Sequence, residues 1–302
     1  MSGLYPFAPH YIEVRGRSAG HHRMHYVDEG EGDPVLMVHG NPSWSFFYRD
    51  LIGALKSSHR TIAPDHIGCG RSDKPNDDHY DYTLSTRVAD LGTLIDSLDL
   101  RDITLVVHDW GGMIGMAWAA QHADRIAKLV VMNTAAFPLP ADEKLPASLA
   151  LARTPGIGAL LVRGANAFSR GAVRYCVTRR PMSKAVAAGY LEPYDNWAHR
   201  IAVHRFVQDF PLQEDDRAYP AVRETAEALV HLADKPMLIC WGLKDFVFGR
   251  PFLDEWVRRF PNAEVQRFED CGHYILEDAG ERIIPLVREF VDSADRPTDR
   301  SA

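Results

Sequence analysis

No stretch of this 302-residue chain stays apolar for the ~18 residues that a membrane span needs, and no charged start, apolar core and small-residue cleavage site opens it. A cytoplasmic protein without a membrane span is therefore expected. Cysteine is scarce: Cys69, Cys176, Cys240 and Cys271 stand at no paired or metal-ligand spacing. That argues against a disulfide framework and a thiolate metal centre, and leaves them as reduced thiols in or near the core. Positive charge is also short. With 34 Lys and Arg against 41 Asp and Glu, a formal net charge of -7, there is no basic footprint for nucleic acid, and Arg179-Arg180 read as solvated surface. His21, His22 and His25 come nearest to a metal set, yet without Cys or carboxylate partners they read as an ordinary exposed strand leading to Tyr26-Val27. No metal and no cofactor is expected, and there is no internal repeat or low-complexity segment.

What is present is the composition of a soluble globular protein, 46% hydrophobic and 25% charged, long enough for a sizeable core and a moderate insertion. Residues 11–27 predict two strands of a meander closed by Asp28-Glu29-Gly30-Glu31-Gly32-Asp33, and residues 34–38 a continuous apolar strand broken by His39-Gly40-Asn41-Pro42. A helix is expected over 45–55, a short strand over 61–63, and tight turns through Gly68-Cys69-Gly70-Arg71-Ser72-Asp73-Lys74-Pro75. Helix 84–98, strand 103–107, helix 112–121 and strand 127–132 then alternate as in a parallel sheet covered on both faces. The rhythm stops from about 134 to 232, where only helical stretches punctuated by proline and glycine are visible. It returns with strand 236–241, helix 252–260, strand 264–268 and helix 278–291. The tail after Asp292 reads as frayed. The expectation is an α/β fold, a mostly parallel sheet with helices on both faces, built from 1–133 and 233–302. A helical cap over 134–232 is inserted at the carboxyl edge of the strands, where such sheets place ligands.

The central stretch is Leu105-Val106-Val107-His108-Asp109-Trp110-Gly111-Gly112. A buried strand runs into a glycine-flanked turn and a helix, the context in which a strained elbow exposes a nucleophile at the sheet's carboxyl end. The nucleophile slot holds Asp109. The alternative is that this residue merely caps the following helix; as a nucleophile, its carboxylate would attack an electrophilic carbon and become an alkyl ester. Two further residues favour the nucleophile. Asp245 lies just past one strand and His273 just past the last, so both project at the same sheet edge, in the order nucleophile, acid, histidine. An acid on one imidazole nitrogen fixes the tautomer and leaves the other as a base. The strand before the cap ends in Asn133-Thr134-Ala135-Ala136 with no carboxylate, so Asp245 is the acid that fits. Asn41 and Trp110 hold the positions whose backbone amides form the oxyanion hole, and their side chains add two neutral N–H donors for a leaving anion. The alternative is that Trp110 packs under the cap and Asn41 holds its loop.

The segments His39-Gly40-Asn41-Pro42-Ser43-Trp44-Ser45, residues 65–75, His108-Asp109-Trp110-Gly111-Gly112, Trp241-Gly242-Leu243-Lys244-Asp245-Phe246 and Gly272-His273 resemble the haloalkane dehalogenase family of α/β-hydrolases over essentially the whole chain. An Asp-His-Asp triad with an Asn plus Trp anion site resembles its third subfamily. Residues 133–140, 193–197 and 205–212 look like the members that decarboxylate β-lactones in bacterial long-chain olefin biosynthesis. The resemblance implies a small hydrophobic substrate, no cofactor, catalytic Asp109, His273 and Asp245, anion binding by Asn41 and Trp110, and work beside the enzymes that make the β-lactone. Three reactions suit the residues. Asp109 opens a cis-dialkyl β-lactone and carbon dioxide is lost to give a cis-olefin, or it displaces halide before water cleaves the ester. As a third, less favoured reading it opens an epoxide with help from Tyr175, Tyr190 or Tyr194. A catalytically dead fold used as a binding module is the alternative of a different class. The apolar stretch 145–168, with Leu149, Leu151, Ile157, Leu160, Leu161 and Val162, reads either as the lining of an alkyl tunnel or as the cap's own buried face.

Overall fold

Eight strands form one sheet: β1 (His10–Arg15), β2 (His21–Glu29), β3 (Pro34–Val38), β4 (Arg60–Pro64), β5 (Ile103–Asp109), β6 (Ile126–Thr134), β7 (Met237–Gly242) and β8 (Glu264–Phe268). This is the computed structural model of the chain, which describes residues 3–17, 20–140 and 146–293. The strand order is β1-β2-β4-β3-β5-β6-β7-β8, antiparallel at β1/β2 and β2/β4 and parallel elsewhere. Sequence follows position in the sheet. All seven residues of β5 are buried, as a central parallel strand requires, whereas edge strand β1 alternates.

Each central strand divides its side chains between two cores. Ile103, Leu105 and Val107 face one layer, formed by α2 (Leu84–Ser97) and α3 (Trp110–Ala119), while Val106 faces the other, with α1 (Arg49–Leu55). Thr83 caps α2, its hydroxyl accepting the Thr86 N–H at 3.2 Å. The expected helix over 45–55 is a 3₁₀ turn, Ser45–Tyr48, followed by α1; the Ser45 N–H is tied to Asp65 Oδ1 at 2.7 Å. One expectation fails at β2. His21 is exposed and His22 partly so, but His25 is buried, its Nδ1 2.8 Å from Asp65 Oδ2. A partner forty residues away was invisible in the local pattern.

Among the described residues between β6 and β7 there is no strand. The segment contains α4 (Ala147–Arg153), α5 (Ile157–Ala159) running into a π-turn (Leu160–Gly164), α6 (Ala167–Tyr175), α7 (Lys184–Leu191), α8 (Ile201–Gln208) and α9 (Tyr219–Ala228). α7 and α8 meet the loop after β3: Trp44 Nε1 donates to Gly189 O at 3.1 Å, and Asn41 Nδ2 to Val203 O at 3.2 Å. α9 returns to the core, where Val222 and Ala226 join the cluster containing Met113 and Ile114. After β7, α10 (Arg250–Arg259) adds Phe252, Leu253 and Trp256 to that same cluster, and α11 (Ile275–Asp292), kinked at Ala279, lies on the opposite face with Ile283 and Val287.

Candidate active site

β5 ends at Asp109, whose φ of 53° and ψ of -129° turn the chain sharply before α3 begins at Trp110. A non-glycine residue held there stores about 1–3 kcal/mol of strain, sustained only when its surroundings over-determine it. They do so here. A Cβ on Gly111 would overlap the carbonyl of Val38, and one on Gly40 would overlap the Asp109 carboxylate itself, so both positions must be glycine for strand, turn and loop to close together. The Thr134 hydroxyl donates to the Asp109 carbonyl. The Asn41 backbone N–H donates to Asp109 Oδ1 at 2.5 Å.

The three residues expected to converge do so. His273 Nε2 lies 3.4 Å from Asp109 Oδ2, and its Nδ1 lies 2.8 Å from Asp245 Oδ2. Burial alone would lower the imidazole pKa; Asp245 and the hydrogen bond to Asp109 outweigh it and carry it to about 10. At neutral pH the ring is therefore an imidazolium between two carboxylates. Asp109 in turn is held below the usual carboxylate value: burial pushes it up, but the His273 hydrogen bond and charge win. His108 is buried and stacked 4.3 Å from Phe47, its Nε2 2.9 Å from the His273 carbonyl. Burial, then the His273 charge, lowers it to about 3, so it stays neutral and donates to that carbonyl.

Asn133 is a site residue that the sequence reading missed. Buried at the end of β6, it donates from Nδ2 to Asp245 Oδ2 (2.9 Å) and to the Gly242 carbonyl (3.1 Å), and accepts the Gly242 N–H at 2.8 Å. The Val247 N–H fills the other Asp245 oxygen at 2.7 Å. This strand end carries no carboxylate; it carries the amide that orients one.

Asn41 and Trp110 border a cavity of about 440 Å³ with Asp109 and His273 at its polar end. Leu149, Phe168, Val207 and Phe210 are among its apolar walls, and α6 contributes Ala167, Phe168, Gly171, Ala172 and Tyr175 with Cys176 beyond it, the 3.6-residue spacing of one helix face. Trp110 also packs against Phe206 and Phe210, at 5.1 and 5.9 Å between rings. Of the three tyrosines considered for epoxide opening, Tyr190 donates to Glu277 and Tyr194 to the Ser43 carbonyl, leaving Tyr175 alone on the cavity wall. The stretch 145–168 divides three ways. Leu149 and Phe168 line the cavity, Val162 packs with Tyr194, Val203 and Val207, and Leu151, Ile157 and Leu160 stand in solvent, which neither reading foresaw; Leu145 lies outside the described residues. All four cysteines are free and buried, and no group of three or more metal-ligating side chains occurs among the described residues.

A doubly covered, mostly parallel sheet with an acid at the elbow and a histidine and second acid at the following strand ends defines a class: the chain belongs to the alpha/beta hydrolase fold family, whose match spans residues 33–280. Within that class it is 51% identical over 292 residues to the cis-3-alkyl-4-alkyloxetan-2-one decarboxylase of Shewanella oneidensis, covering 96% of this chain and 90% of the relative. A haloalkane dehalogenase of Mycobacterium marinum is 36% identical over 289 residues, covering 93% and 94%. The crystal structure of a haloalkane dehalogenase from Agrobacterium tumefaciens superimposes with a TM-score of 0.84 at 24% identity, over 96% of this chain and 98% of that one, a likeness of fold.

Proposed function

We propose that this chain is a β-lactone decarboxylase that converts cis-dialkyl β-lactones to cis-olefins and carbon dioxide. The observation that carries this reading is the 51% identity, along nearly the whole chain, to a protein named for acting on cis-3-alkyl-4-alkyloxetan-2-ones; the triad alone suits dehalogenation equally. Asp109 attacks the ring carbon bearing oxygen from behind. The new C–O bond forms as the ring C–O bond breaks, and the released carboxylate is held by the Asn41 and Trp110 N–H groups. That carboxylate then lies antiperiplanar to the Asp109 ester. Its C–C bond breaks, the electron pair becomes the double bond, and the ester C–O pair returns to Asp109. Inversion followed by anti elimination gives a cis-olefin from a cis lactone, and neither water nor a proton is consumed. The His273 imidazolium, held by Asp245, stabilises Asp109 as it leaves.

The same reading takes 1–133 and 233–302 as core and 134–232 as cap, places the protein in the cytoplasm, and sets it beside the enzymes that make the lactone in olefin biosynthesis. Hydrolytic dehalogenation is the second reading, favoured by the 36% relative: Asp109 displaces halide, and His273 with Asp245 activates water. Incubation with a cis-dialkyl β-lactone, and separately with a bromoalkane, decides between them. Fast cis-olefin formation with little bromide release is expected; bromide and alcohol without olefin would leave a dehalogenase.

A further inference from the structure

The helical segment is charged opposite to the rest of the chain. Between 146 and 205 there are nine Arg and Lys against two acids, Glu192 and Asp195, in a protein of net charge -7. Some are neutralised: Arg153 by Asp216, Arg179 by Asp270 and Glu281, Arg205 by Asp77. Among the described residues, Arg163, Arg170, Arg174 and Arg200 form no ion pair, and they are neighbours. Arg200 donates to the carbonyls of Arg163 (2.6 Å) and Gly164 (3.0 Å). Arg163 and Arg200 both lie below the usual arginine value, through partial burial first and then through the cations Arg205 and Arg170. Apolar side chains project from the same segment. Leu160 is 66% exposed on the π-turn that carries Arg163, Ile157 is 49% exposed three residues before it, and Trp197, 45% exposed, lies 4.7 Å beneath the Arg163 guanidinium. The cavity reaches the surface at the end of α6, the helix that carries Arg170 and Arg174: Tyr175 and Phe246 line it yet are 65% and 49% exposed, and Arg174 stacks 5.4 Å from the Tyr175 ring.

We propose that this face docks on an anionic lipid bilayer, with Leu160 and Trp197 in the interface, Arg163, Arg170 and Arg174 on headgroup phosphates, Arg200 bracing the segment through backbone carbonyls, and the cavity mouth turned to the membrane. Arginines interspersed with exposed aliphatics and a tryptophan form an interfacial pattern; a phosphate-only partner would leave Leu160 and Ile157 unused. No helix among the described residues is long and apolar enough to cross a membrane, so the contact is peripheral. It rests on this surface and not on the reaction.

The test is flotation of the full chain with vesicles of phosphatidylcholine alone or mixed with phosphatidylglycerol. Binding only to the mixed vesicles, weakening steeply with salt, is expected. The double variant Arg170→Glu, Arg174→Glu should lose at least about fivefold in partitioning for each cation removed, and Leu160→Glu should abolish flotation while turning over a soluble short-chain substrate at the native rate. Failure to float with anionic vesicles at low salt overturns the proposal, as does flotation that Leu160→Glu leaves intact. A dimer that Leu160→Glu dissolves, without flotation, would overturn it in favour of a second copy of the chain.

Discussion

Replacing His273 by alanine separates the two reactions by stoichiometry. Its Nε2 stands 3.4 Å from Asp109 Oδ2, and at an effective dielectric of 20 two unit charges at that distance attract by about 5 kcal/mol. In decarboxylation this attraction is lost when Asp109 becomes an ester and regained as the ester leaves. If about half has developed at the transition state, the variant loses about 2–3 kcal/mol, or about a hundredfold in olefin turnover. Turnover nevertheless continues, because the carboxylate left on the substrate supplies the electrons that expel Asp109. A bromoalkane ester has no such exit. Without a general base, a further factor of about 10²–10⁴ is lost, and release should stop at one bromide per enzyme with an alkyl adduct on Asp109. The assay counts olefin and bromide per active site over time and weighs the protein by mass spectrometry. Olefin passing well beyond one equivalent while bromide stalls at one is the expected pair of results. A lactone-derived adduct that accumulates with no further olefin would refute the elimination step.

The same geometry sets the pH dependence. His273 keeps its proton up to about 10, so kcat for the lactone should be flat across neutral pH and fall as pH rises through that value and the departing Asp109 loses its cationic neighbour; a kcat rising between about pH 6 and 8, the range of an unperturbed imidazole, would show that neutral His273 is needed. Asn133→Ala should leave the Gly242 N–H without its side-chain acceptor, while the Gly242 carbonyl keeps the Asp245 N–H, and free the Asp245 carboxylate to turn, costing about 1–3 kcal/mol and several degrees of Tm, and lowering kcat more than it changes KM. Gly171→Phe is the complementary case: a Cβ there meets no atom within 4 Å, so the helix should tolerate it, with stability changing by no more than about 1 kcal/mol. The ring should fill cavity space and raise KM for long-chain lactones at least tenfold while sparing short ones.

Asp109, Asp245 and His273 were legible because each stands where a strand stops, and strand ends can be read from runs such as 103–107, 236–241 and 264–268. Their meeting at one edge follows from the parallel order. Asn133 was not legible for a chemical reason: an asparagine after a strand carries no catalytic signature until its partner 112 residues away is placed beside it. Much the same holds for His25 and Asp65, which meet across the neighbouring strands β2 and β4. The failure at Leu151, Ile157 and Leu160 has a different cause. Apolar periodicity identifies which side chains share a face but supposes that the face is inward, and on this segment part of it is outward.

The fate of the Asp109 ester depends on where charge is placed around it. Among the described residues lining the cavity there is no Lys or Arg; the groups proposed to receive the released carboxylate are the neutral N–H donors of Asn41 and Trp110, amid Leu149, Phe168, Val207 and Phe210. A cation there would hold the carboxylate and oppose its loss as carbon dioxide. Apolar walls strip its hydration, which raises its energy more than that of the uncharged product. The cation among the described lining residues, the His273 imidazolium, lies against Asp109, whose oxygen must leave in the proposed elimination. Charge is thus weak where it must disappear and strong where it must return. The same arrangement serves dehalogenation less well, because there His273 must give up its proton before it can activate water, and the walls that destabilise a carboxylate also exclude the nucleophile. One set of residues therefore supports both reactions on paper, but this cavity favours the one that consumes no water.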